Sequence, residues 1–204
     1  MRRYRLAPRA TRADAVAQTG LKPPTIRVWD PLVRIAHWSL AGGVVIAWIS
    51  GKFPDRFAAA LHDGSGYAVL GVVALRLAWG FSGPRYARFA QFVRPPARAV
   101  LYLKQLAARS EPRYIGHNPL GGWMIVALLS TAALAAGSGW LYTTDRFWGE
   151  AWLEQLHHFL ADGLLLLAGL HVAGVVFTSA RHGENLVLAM LSGRKRPPRP
   201  GDEA

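Results

Sequence analysis

Four stretches of this chain are long, apolar and almost free of charge: 32–50 (LVRIAHWSLAGGVVIAWIS), 60–81 (ALHDGSGYAVLGVVALRLAWGF), 119–141 (PLGGWMIVALLSTAALAAGSGWL) and 156–178 (LHHFLADGLLLLAGLHVAGVVFT). Each has about the 20 residues that a helix needs to cross the hydrocarbon core of a bilayer. Backbone polar groups in lipid must be satisfied within the protein, so runs of this length are expected as helices. The second run is the weakest, because Asp63 and Arg76 interrupt it. The expected fold is all-α, an integral membrane four-helix bundle.

The charges lie between the runs, and they lie unevenly. Residues 1–36 hold eight Lys/Arg and two Asp, and residues 83–117 hold seven Lys/Arg and one Glu. From Arg181 onward there are five Lys/Arg and three acids. The 51–61 connection has Lys52, Arg56 and Asp55, and the 142–155 connection has Arg146 against Asp145, Glu150 and Glu154. By the positive-inside rule both termini and the 83–117 loop are cytoplasmic. Four spans with both ends inside are self-consistent. The net charge of +12 is thereby explained by membrane topology, and a nucleic-acid partner is not expected. Residues 1–26 are Arg-rich without an apolar segment, unlike a secretory leader. They are expected as a disordered basic cytoplasmic tail, followed by a membrane domain over 27–196 and a C-terminal tail over 197–204. Within 83–117 the later part, FAQFVRPPARAVLYLKQLAARS, reads either as a basic amphipathic helix on the membrane surface or as a solvated loop.

Ionisable groups inside membrane spans are costly and mark function. Of the seven histidines, His37 falls just inside the cytoplasmic end of the first run and His62 near the outer end of the second. His157 and His171 lie in the fourth, 14 residues and about 21 Å apart. The four therefore form two levels, His37 with His171 inside and His62 with His157 outside. At about 100° per residue, 14 steps return to within roughly 40° of the start, whereas the 13 from His158 leave roughly 140°. His157 and His171 share a face, and His158 points elsewhere.

Two histidines facing each other at each of two levels suit bis-histidine haem, whose porphyrin supplies the four equatorial bonds. Zinc needs three or four ligands at one level. Only the outer level offers more, from Asp63, Glu154 or His158, so a zinc or copper site there is the alternative. The chain has no cysteine, which excludes disulfides, thiolate zinc sites, iron–sulfur clusters and covalently attached haem. Small residues such as Gly71, Gly122, Gly139 and Gly169 leave room for a flat ligand or serve close helix packing. Arg76, 14 residues after His62, and Arg34, one turn before His37, each read as a haem propionate contact or as a snorkelling cation. His117 is expected as an interfacial or capping residue, and His182 as solvated. The acidic 142–155 connection reads as a solvated loop or as a docking surface for a basic partner.

The pieces RIAHWSL, LHDGSGYAVLGVVALRLAW, HNPLGGW and LHHFLADGLLLLAGLH together resemble the bacterial di-haem cytochrome b561 family, which is related to the b-type subunits of nickel–iron hydrogenases. The resemblance covers roughly residues 27–196. It implies a four-helix bundle holding two non-covalent b haems, with His37 and His171 on the cytoplasmic haem and His62 and His157 on the periplasmic one. It implies a multi-pass protein of the bacterial inner membrane that moves electrons between ubiquinone or menaquinone and a redox partner. That partner would be a periplasmic c-type cytochrome, a hydrogenase or another dehydrogenase. Superoxide oxidation with ubiquinone as acceptor is a further activity that the resemblance allows. The chain departs from the hydrogenase subunits in having four spans, with no extra segment that docks a hydrogenase. A non-redox membrane anchor, or a small transporter whose histidines bind protons or a metal, is the rival class.

Overall fold

The computed structural model describes residues 24–203. Most of the segment expected as an N-terminal tail, residues 1–23, lies outside the described residues. Four helices dominate: α1 (Pro31–Ser50), α2 (Arg56–Ser82), α5 (Pro119–Tyr142) and α6 (Ala151–His182). All four are long and apolar enough to cross a membrane. Many of their large side chains face outward, among them Ile35, Phe57, Phe81 and Leu166, as lipid contact requires.

The helix starts are written in the sequence. Asp30 accepts from the Leu32 and Val33 amides at 3.0 and 3.2 Å, with Pro31 in the first helical position. Asp55 caps α2 through Ala58 N at 2.9 Å, and Asn118 caps α5 through Gly121 N at 2.7 Å. Such side chains satisfy amides that have no partner inside the helix. Because Asp55 starts it, α2 begins four residues before the apolar run. α6 likewise extends beyond the expected run at both ends and stops at Gly183, whose φ of 58° is the left-handed conformation glycine adopts freely.

Consecutive long helices pack side by side, α1 on α2 and α5 on α6, and α2 also packs on α5. Val69 and Val73 of α2, Leu129 and Ala132 of α5 and Leu164 of α6 form the common core. We call the end where β1 pairs with β2 proximal and the other distal.

The long connection after α2 folds under the proximal end. It contains a 3-10 turn (Arg85–Ala87), α3 (Phe89–Phe92) and α4 (Pro96–Ala107). α4 settles the two readings of this loop in favour of a helix, with Tyr102 buried and Val100, Leu101 and Leu103 exposed. After α6 come α7 (Leu186–Ser192) and a two-residue strand β2 (Arg194–Lys195), antiparallel to β1 (Ile26–Arg27). Arg113 binds Glu184 at 2.6 Å and Asp202 at 2.5 Å, and Lys195 binds Glu184 at 3.2 Å. Lys195 also donates to the Tyr114 and Ile115 carbonyls. These four side chains are nearly fully buried, so the loop, the turn at Glu184 before α7, β2 and residues 202–203 form one ionic clasp. Burial alone would push the Glu184 carboxyl up, but Arg113 and Lys195 hold it below the ordinary carboxylate range.

Candidate functional site

At the distal end His62, in the second turn of α2, faces His157, in the second turn of α6. Their ring centres lie 5.8 Å apart. His62 Nδ1–H donates to the Ala47 carbonyl of α1 at 2.8 Å. His157 Nδ1–H donates to the Ala135 carbonyl of α5 at 2.9 Å, with the Ser138 hydroxyl 3.3 Å away. A carbonyl only accepts, so each Nδ1 carries the proton and each Nε2 keeps its lone pair. That is how a metal-binding histidine is commonly oriented. A Cβ added at Gly51 would sit 3.1 Å from His62 Nδ1, and one at Gly139 would sit 3.0 Å from His157 Cε1. All four long helices thus contribute: two give rings, and two give the carbonyl and the space that hold them.

At the proximal end His37 of α1 faces His171 of α6 with ring centres 6.3 Å apart. His37 Nδ1 is buried and has no hydrogen-bond partner among the described residues. Arg76 of α2 is buried toward the same end, against the loop after α2. It is 6% exposed, donates through Nη2 to the Ala87 carbonyl at 3.1 Å, and stacks over Phe89 and Phe92. Its Nη1 is also buried without a partner.

His117 stands between Trp29 and Phe92, with ring centres at 4.6 and 4.9 Å, and its Nδ1 is a third buried atom without a partner. Burial first, then the nearby charges of Arg76 and Lys195, push the His117 pKa down to about 3, so it is neutral at ordinary pH. Buried polar groups are nearly always paired. Three without partners in one neighbourhood mark a place for a polar ligand.

Several sequence readings change. His117 is not a cap, because Asn118 fills that position and the imidazole is instead packed between two aromatic rings. Arg34 donates through Nε to the Met190 carbonyl at 3.3 Å and through Nη2 to the Leu191 carbonyl, at the end of α7. His182 is half-buried rather than solvated. His158 is 70% exposed, with Glu154 at 4.0 Å as its nearest ionic partner. Among the described residues no three His, Cys, Asp or Glu side chains converge as a metal site.

The two pairs do fit a planar ligand bound on both faces. Metal–imidazole bonds of about 2 Å, plus about 1 Å from nitrogen to ring centre on each side, separate the two ring centres by about 6 Å. The observed 5.8 and 6.3 Å meet that spacing.

The model of one family, prokaryotic cytochrome b561, matches residues 28–193. The chain belongs to the prokaryotic cytochrome b561 family. Haem electron transport through transmembrane helices is the family's property, and the resemblance read from the four quoted motifs stands. This cytochrome b561 is similar to the probable Ni/Fe-hydrogenase B-type cytochrome subunit of Bradyrhizobium diazoefficiens, 21% identical with 92% of each chain covered. It is also similar to the subunits of that name from Rhizobium leguminosarum bv. viciae (21% identical, 90% and 94% covered) and Azotobacter vinelandii (24%, 84% and 89%). No solved structure matches the chain.

Proposed function

We propose that this cytochrome b561 binds two b haems without covalent attachment, His62/His157 ligating the distal one and His37/His171 the proximal one. It passes single electrons between them. The observation that carries this reading is the pair of facing imidazoles at each of two levels, about 21 Å apart along α6. At the distal level the histidine tautomers are already those that ligation needs. Bound haem supplies the reversible one-electron chemistry, and the apolar helices insulate it. Arg76, whose buried Nη1 has no partner among the described residues, would hold a propionate of a proximal haem, and His117 would line the pocket beside it.

The charge asymmetry supports an orientation with both termini cytoplasmic in the inner membrane. The relatives' names support a hydrogenase as the partner that exchanges electrons at one end, with membrane ubiquinone or menaquinone at the other.

Purified protein is expected to be red, with b-type absorbance bands after dithionite, and quinol or a reduced hydrogenase should reproduce the reduced spectrum. A colourless preparation from haem-replete cells would refute the reading.

A further inference from the structure

α6 carries an ionisable group that neither histidine pair uses. Asp162 lies five residues past His157 and nine before His171, between the two levels and deep within the helix. It is exposed on the outside of the bundle, and among the described residues no hydrogen bond or ion pair reaches it. A carboxyl facing lipid at that depth is costly, and such groups normally find a partner.

Its neighbours on the same face are informative. At about 100° per residue, positions 158, 162, 169, 173 and 176 fall within roughly 60° of one another, and this strip points roughly 140° away from the direction of His157 and His171. His158, Gly169, Ala173 and Val176 are all exposed. A Cβ added at Gly169 would meet open space. The strip therefore offers a hydrogen-bond donor, an acceptor one turn deeper, and a Gly-x-x-x-Ala step that lets two backbones approach.

We propose that this face of α6 docks against the same face of a second copy of the chain, forming a parallel two-fold dimer within the membrane. The pattern of hydrogen-bond donor and acceptor selects this occupant. In a two-fold contact residue i meets j and j meets i. A face carrying both His158 and Asp162 is complementary to itself. Each Asp162 carboxyl accepts from His158 of the second copy, and the small residues further along the helix close the contact. The surface lies opposite the haem-ligand face, so the inference does not depend on what the histidine pairs bind.

The chain has no cysteine, so single cysteines can be placed cleanly. Ala173→Cys lies on the proposed face, and Leu170→Cys lies on another exposed side of α6. The full chain would be reconstituted in phosphatidylethanolamine/phosphatidylglycerol vesicles and oxidised with copper phenanthroline. Ala173→Cys is expected to give a covalent dimer of two 22.3 kDa chains, and Leu170→Cys to stay monomeric. Adding Asp162→Leu to Ala173→Cys should lower cross-linking by about three- to tenfold, the range for an intramembrane polar pair. Asp162→Asn, which still accepts a hydrogen bond, should retain most of it. Helicity by circular dichroism establishes that each variant is folded. Equal cross-linking at 170 and 173, no effect of Asp162→Leu, or a chain that stays monomeric in lipid until another membrane protein is added would each overturn the proposal.

Discussion

At the distal level each ring of the His62/His157 pair is held through Nδ1 by a backbone carbonyl and closed in by a glycine. At the proximal level His37 Nδ1, Arg76 Nη1 and His117 Nδ1 are buried without a partner among the described residues. One level is complete as far as its own protein contacts go. The other has three buried polar nitrogens without a partner among the described residues. If both levels hold haem as proposed, the difference separates two ways of holding it. At the distal level the protein fixes the ligands. At the proximal level, on the proposed reading, a cation and a neutral imidazole would face the carboxylates of the cofactor.

The largest effect that bears on this contrast comes from the ligands themselves. His157→Ala should abolish the distal haem and leave the proximal one, whereas the exposed neighbour His158→Ala should keep both. Absorbance per chain measures this, and equal loss from the two variants would break the assignment of faces. Arg76→Gln should act on the proximal level alone. Removing the cation favours the oxidised, more positive haem, so that component's potential should fall by on the order of 60 mV, the equivalent of a tenfold shift in a one-electron equilibrium. Redox titration would show whether the distal component stays in place.

The ionic clasp belongs to the proximal end only. Glu184 is held below its ordinary pKa of 4.5, so its contribution is present above that pH and is lost as the pH falls through its lowered value in the fold. Glu184→Gln should cost about 3 kcal/mol, because it leaves Arg113 and Lys195 buried with less compensation. Acid and this variant should both release the proximal haem before the distal one, as followed by thermal and pH titration of the two absorbance components. The smallest effect is at the distal level. Gly139→Ala would gain about 0.5–1 kcal/mol of helix propensity but presses a methyl on the His157 ring. It should loosen the distal haem modestly, by a fewfold in its release rate, with the proximal rate unchanged.

Much of this was legible in the sequence. The apolar runs located four helices, the 14-residue interval picked His157 over His158, and the spacing grouped the histidines into the two pairs that the fold brings together. The carbonyls of Ala47 and Ala135 were not legible, because every residue carries that group and only the packing of α1 and α5 aims these two. Gly139 was visible only as one of many small residues. His117 was misread because its place before a helix suggested a cap. What decides its role is the return of the loop around Phe92 and of Trp29, contacts far apart in sequence. Arg34 was placed by its distance from His37 alone, while the carbonyls at the end of α7, more than 150 residues later, take its donors.

Counting haem per chain in the ligand variants tests the central claim most directly. Pyridine haemochrome analysis should give two haems in the native chain, and one each in His62→Ala and His37→Ala. The missing component should be the distal one in the first variant and the proximal one in the second. A native chain with one haem or none, or either variant still holding two, would contradict it.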